Sequence, residues 1–422
     1  MILTRRFPIS AVLLCVALGG CAVNPVTGEQ QLSLVSERQE IQIGEQQYQP
    51  ARQSQGGLYY LDPGLQTYVD AVGQRLAAVS DRELPYEFAV LDNPIPNAWA
   101  LPGGKIAVNS GLLLYLRDEA ELASVLGHEI VHAAAAHGAA QMTKGSLLGL
   151  GAQIAGVVSQ QSGYGNLGGT AAQLGAAAWM AKYSRGAELE ADAYGMEYLA
   201  RAGYDPWAAV SVQETFVELS KDRQTDFFSA LFASHPPSPE RVAANRAHAR
   251  ELGVKGERNL EAYRRATTQL RADAPAYEAE KEALEALAEK DPRAAIRHLD
   301  RALKIQPDAS RFWELRGHAW ALLEQWRNAD DAFTSAIDRN PGYFRPHLAR
   351  GALRFERGQY QAAERDLQRS RELLPTALAS FYLGEIALAK GAAREAEAYY
   401  REAAADPGVI GQKARERLAG KR

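Results

Sequence analysis

The chain has 422 residues, long enough for two or more domains with a sizeable core. Lys and Arg number 47 against 51 Asp and Glu, a net charge of −4, so no basic excess points to nucleic acid. Both cysteines, Cys15 and Cys21, lie near the N-terminus, which excludes a downstream disulfide framework, a Cys-based metal site and a thiol nucleophile.

Residues 1–20 read as an export signal. Arg5 and Arg6 form its positive end, and Phe7 to Leu18 an apolar core too short for an ordinary membrane span. Leu18-Gly19-Gly20-Cys21 resembles a bacterial lipobox, which makes Cys21 the lipidated first residue of the mature chain. Ala22 after it favours the outer membrane in lipoproteins of this type; the alternatives are a plain secretory signal or an uncleaved anchor. Residues 21–60 form a polar tether, with turn chemistry at Asn24-Pro25-Val26-Thr27-Gly28 and a helix from Ser36 to about Gln49.

A compact domain is expected over 61–265. Leu65, Tyr68, Val69, Val72 and Leu76 have helical spacing, and Tyr86 to Leu91 reads as a strand. Asn97 to Val108 reads as two short strands around Gly103-Gly104, either an ordinary hairpin or an edge that takes up an extended peptide. A helix from about Arg117 to Ala140 then carries Gly127-His128-Glu129-Ile130-Val131-His132. Four residues advance a helix by about 400°, so His128 and His132 point the same way and can grip one metal ion. Glu129 lies about 100° round from His128, placed to reach a metal-activated water rather than to ligate. This is the His-Glu-x-x-His arrangement of zinc proteases. His137 falls about 140° round from His132 and cannot join that face without a break, so it reads as structural or surface. Gly145 to Met180 reads as one or two helices with a glycine loop, Gly163 to Gly169, either over the cleft or simply packing.

Glu188 and Asp192, four apart, share one helix face, whereas Glu190 falls roughly 200° from Glu188 and faces elsewhere. A second helix that presents Glu188 to His128 and His132 makes a His₂Glu set with the fourth zinc position left for water, the catalytic form. Asp192, one turn on, is placed to accept a hydrogen bond from a ligand imidazole and fix its tautomer.

These motifs, with Ser184-Arg185 ahead of Glu188, resemble the prenyl-protease/HtpX-like family of zinc metallopeptidases. Asn24 to Gly28 and Asn97 to Gly104 are similar to its periplasmic lipoprotein branch. The resemblance implies Zn²⁺ held by His128, His132 and Glu188, Glu129 as catalytic base and Asp192 in support. Ser234-His235-Pro236-Pro237-Ser238-Pro239-Glu240-Arg241 resembles that branch's His-Pro loop, which implies His235 as a reversible fourth ligand and Arg241 near the substrate carbonyl. On the residues alone the same stretch is good helix-start chemistry, with Ser238 ahead of Pro239.

From about residue 274 the chain repeats. Ala295, Ala302 and Pro307 recur at Ala329, Ala336 and Pro341, a step of 34, and Gly317 recurs at Gly351 and Gly384. Trp313-x-Leu315-x-Gly317 fits the tetratricopeptide pattern, with units expected at 274–307, 308–341, 342–375 and 376–407 and a cap beyond. The expected fold is therefore mostly α: an α+β zincin-like peptidase domain with a small β-sheet over 61–265, then a tetratricopeptide α-solenoid over 274–422. The resemblance implies cleavage of unfolded or misassembled outer-membrane proteins in the periplasm, with the repeats docking on the β-barrel assembly machinery. Two other readings stand beside it: a chaperone or adaptor whose metal site is mostly closed, and a scaffold with a structural zinc.

Overall fold

A computed structural model describes residues 21–145, 183–221 and 228–420. The expected signal over 1–20, and the helices and glycine loop expected within Gly145 to Met180, lie outside the described residues, Gly145 excepted. The chain divides into two units, Met1–Gln49 with Gly64–Thr267 and Pro50–Pro63 with Thr268–Arg422. No described helix is long and apolar enough to cross a membrane.

The first unit begins with a ribbon. β1 (Cys21–Val23) pairs antiparallel with β2 (Gln30–Leu32) around the Asn24-Pro25-Val26-Thr27-Gly28 turn, in which Asn24 Oδ1 accepts from Val26 N at 2.9 Å. α1 (Glu37–Ser54) runs past the expected end at Gln49, and α2 (Pro63–Ala77) buries Leu65, Val69, Val72 and Leu76. The sheet that follows has the order β3 (Glu87–Leu91), β5 (Lys105–Asn109), β4 (Ala98–Leu101). β3 runs parallel and β4 antiparallel to the buried central strand β5. The β4–β5 turn needs Gly103 and Gly104 at φ +76° and +84°, backbone that other residues disfavour.

After α3 (Ser110–Leu113), Asp118 caps α4 (Glu119–Ala134) by accepting from Glu121 N at 3.0 Å. Ser184 caps α5 (Arg185–Arg201) in the same way, accepting from Ala187 N at 3.2 Å. These two helices pack together where Gly127 faces Gly195; a Cβ on Gly195 would stand 3.2 Å from His128 N, so the missing side chains let the backbones close. α6 (Trp207–Leu219), α7 (Ser229–Ser234), α8 (Pro239–Leu252) and α9 (Leu260–Ala266) follow. Ser238 accepts from Arg241 N at 3.2 Å to cap α8, as its helix-start chemistry predicts. α4 is shorter than expected: it stops at Ala134, and Ala136 takes φ 55° before the chain turns helical again at 137.

The second unit is built of helical hairpins: α10 (Thr268–Ala288) with α11 (Pro292–Ile305), α12 (Ser310–Leu322) with α13 (Trp326–Arg339), α14 (Phe344–Glu356) with α15 (Tyr360–Leu373), and α16 (Ala377–Ala389) with α17 (Ala393–Ala403). α18 (Val409–Leu418) packs on the last. The repeated small residues explain the close pairing. Ala295, Ala302, Ala329, Ala336, Ala363 and Ala396 are buried, and a Cβ on Gly317 would lie 2.5 Å from the Phe333 ring. Successive hairpins are joined by repeated ion pairs, Arg311 to Glu280 at 2.7 Å and Arg345 to Glu314 at 2.9 Å. Residues 50–63 belong to this unit, where the Gln53 amide bonds Gly342 O and Phe344 N.

Candidate metal centre

α4 contributes His128, Glu129 and His132, α5 contributes Glu188 and Asp192, and the α7–α8 connection contributes His235. His128, His132, Glu188 and His235 are all buried, and one ligand atom from each lies within 4.8 Å of every other. His128 Nε2 is 3.0 Å from His132 Nε2 and 3.3 Å from His235 Nδ1. Glu188 Oε1 is 3.3 Å from both His132 Nε2 and His235 Nδ1. Tetrahedral ligands at about 2.0–2.1 Å from a small cation sit roughly 3.3 Å apart, so the donor set could hold a divalent metal ion.

The electrostatics agree with that fit. Burial alone would lower the His128 pKa, but hydrogen bonds to Asp192 and Glu188 outweigh it and push it up to about 10. Burial lowers the His132 pKa, with Glu188 opposing only in part. Burial would also raise Glu188, yet the histidines around it hold it well below the usual carboxylate range. Glu188 is thus held ionised and His132 neutral, the forms that ligate, while a bound cation would have to displace the proton that His128 holds between its carboxylates. Glu129 is buried and its pKa is pushed up chiefly by that burial; its Oε1 is 3.5 Å from His235 Nε2, and its Oε2 has no hydrogen-bond partner among the described residues. An orphaned carboxylate oxygen is costly unless a reacting or bound group takes it up. The cavity beside His128, Glu129 and His235 measures about 30 Å³, room for roughly one water.

Asp192 Oδ1 is 3.0 Å from His128 Nδ1 and also accepts from Arg241 Nη2 at 2.7 Å, while Arg241 Nε donates to Asp192 Oδ2 at 2.7 Å. Burial would raise the Asp192 pKa, but Arg241 and then His128 hold it below its ordinary value. Arg241, expected near the substrate carbonyl, has its guanidinium committed to Asp192, to Glu188 Oε2 at 2.8 Å and to Pro236 O at 3.2 Å. In this arrangement it clamps the two carboxylates. Cys21 opens β1, with Leu32 as its pairing partner.

Three neighbours escaped the sequence reading. His137 Nδ1 lies 2.8 Å from His132 Nδ1, and its Nε2 lies 3.2 Å from Glu190 Oε1. Tyr183 stacks on the His132 ring with centroids 3.9 Å apart and planes 12° from parallel. Its signal was only proximity to the Ser184-Arg185 motif. Glu190, on a different face from Glu188 by its helical offset, is partly exposed and meets His137.

Residues 63–249 match the description Peptidase family M48. The Escherichia coli protein named Metalloprotease YcaL is 35% identical over 181 residues, 40% of this chain and 67% of that protein. The chain belongs to peptidase family M48. The Yersinia pestis protein named Beta-barrel assembly-enhancing protease is 32% identical over 222 residues, 51% of this chain and 44% of that protein. The Arabidopsis thaliana protein named Mitochondrial metalloendopeptidase OMA1 is 39% identical over 166 residues, 39% of this chain and 32% of that protein. The chain thus spans under half the length of these two relatives. Residues 280–345 and 348–410 match tetratricopeptide repeats.

Proposed function

We propose that the protein is a zinc-dependent endopeptidase of the bacterial envelope, anchored by lipid on Cys21, that cleaves unfolded or misassembled outer-membrane proteins while its repeats dock on the β-barrel assembly machinery. The reading is carried by the convergence of His128, His132 and Glu188, with a buried carboxylate oxygen of Glu129 beside them that has no hydrogen-bond partner among the described residues. The name of the Yersinia pestis relative supports the barrel-assembly setting, and the lipobox supports the anchor.

When bound, zinc supplies Lewis-acid polarisation of the scissile carbonyl and acidifies a water. Glu129 takes the proton of the attacking water and later delivers it to the leaving amine. Asp192 holds His128 by its Nδ1–H, and Arg241 holds Asp192 and Glu188 in place. His235, its Nδ1 3.3 Å from both His128 Nε2 and Glu188 Oε1, would serve as a reversible fourth ligand, and withdrawal of the His235-Pro236-Pro237 segment would admit water and substrate. β4 is the sheet edge beside α4, and Ala98 lines the same cavity, which suits an extended peptide paired along that strand.

The small cavity and the inserted His235 favour one second reading, a chaperone or adaptor whose site stays mostly closed. Glu129→Gln separates the two. It should retain zinc and lose cleavage of an unfolded outer-membrane protein by about 10²- to 10⁴-fold. Undiminished cleavage would remove the peptidase reading, and full envelope complementation by the inactive variant would favour the adaptor.

A further inference from the structure

We infer that His137, Glu190 and Asn24 form a positioning relay that keeps the proton of His132 on Nδ1 and so turns its Nε2 lone pair to the metal. The inference rests on the proposal that His132 is a metal ligand. It makes the turn just after Cys21 a working part of the site.

The relay has one direction only. His132 Nε2 faces the donor cluster, so a ligating His132 must carry its proton on Nδ1, and His137 Nδ1 at 2.8 Å must accept it. His137 then carries its own proton on Nε2, facing Glu190 Oε1 at 3.2 Å. Asn24 Nδ2 donates to the same oxygen at 2.7 Å. The Asn24 amide cannot be turned over, because its Oδ1 already accepts from Val26 N at 2.9 Å and Thr27 N at 3.3 Å. A carboxylate that receives from both neighbours cannot donate, so the far end fixes the polarity of the whole chain.

The backbone is shaped for this contact. On an unbroken helix His137 would lie about 140° from His132. The stop at Ala134 and the left-handed Ala136 bring it back. The carbonyls at the break are bonded: Ala133 O accepts from Ala136 N at 3.2 Å and from Arg82 Nη1 at 3.3 Å, Ala134 O from Arg82 Nη1 at 3.3 Å, and Ala135 O from Gln31 Nε2 at 3.1 Å. His128 and His132 thus have separate supports from the same helix, Asp192 directly for the one and Glu190 through His137 for the other.

The test uses the full chain, with zinc affinity from chelator competition and the visible spectrum of the cobalt(II)-substituted protein. His137→Leu should weaken zinc binding by about 10- to 100-fold and shift the cobalt bands. His137→Asn, whose Oδ1 can accept from His132 Nδ1–H, should recover most of that loss, which a purely structural role would not grant. Asn24→Ala and Glu190→Gln should weaken zinc binding in the same direction, and they read the relay from its far end if His137→Leu fails to fold. Wild-type affinity and spectrum in these variants, or no rescue by His137→Asn, overturns the relay alone. A wild-type protein that binds neither ion overturns the ligand assignment beneath it as well.

Discussion

Arg241→Met tests how the charges of the centre are balanced. Arg241 is buried and makes two 2.7 Å contacts with Asp192 and one of 2.8 Å with Glu188. Methionine fills much of the same volume but leaves two buried carboxylates without their cation. Removing one partner of a buried pair costs about 3–5 kcal/mol. For a unit of this size each kcal/mol moves Tm by about 2–4 °C, so the metal-free peptidase unit should melt roughly 6–20 °C lower. Calorimetry in chelator and in excess zinc measures it. The loss should shrink in zinc, because a bound cation compensates Glu188 in place of the guanidinium. Arg241→Lys should recover less than half, since one ammonium cannot bridge both oxygens of Asp192 and reach Glu188. A shift below about 3 °C in metal-free protein, or full rescue by lysine, would refute the clamp.

His235→Ala should bind zinc more weakly yet cleave an unfolded substrate faster, by about tenfold if one wild-type molecule in ten is open; slower cleavage would assign His235 to catalysis instead. Gly195→Leu should push α5 off α4, lowering stability by about 1–3 kcal/mol and zinc affinity with it, as chelator competition will show. Glu314 gives a pH test. Burial would raise its pKa, but His318, Arg345 and Arg311 together hold it below the usual carboxylate range. A depressed carboxylate contributes stability that is present above its unfolded value near 4.5 and is lost as pH falls through the folded value. Glu314→Gln should therefore lower the melting temperature of the repeat unit at pH 7, and the gap from wild type should narrow below about pH 4.5.

The core of the site was readable because helical geometry is regular. Four-residue spacings put His128 with His132 and Glu188 with Asp192, and a 34-residue step with small residues at fixed places gave the repeats. The repeat architecture follows from its period; the expected fold of the peptidase unit rests on strand patterns and on the family resemblance. His137 was not readable for the converse reason: its role depends on a helix break at Ala135 and Ala136, two residues that carry no breaking signal of their own. Glu190 takes the re-aimed His137 as one of its two partners, which its helical offset from Glu188 could not announce. Asn24 looked like turn chemistry and is; that its amide also reaches Glu190, 166 positions on, is a tertiary fact no local pattern encodes. The resemblance puts Arg241 beside the cleft, whereas its commitment to Asp192 and Glu188 arises only where α5 and α8 meet in the fold.

The most direct measurement is zinc stoichiometry by native mass spectrometry on wild type and Glu188→Ala, with cleavage of an unfolded outer-membrane protein followed in parallel. One zinc per wild-type chain, lost together with cleavage in Glu188→Ala, is the expected result. A Glu188→Ala protein that keeps full zinc occupancy and full cleavage would contradict a cation shared between α4 and α5.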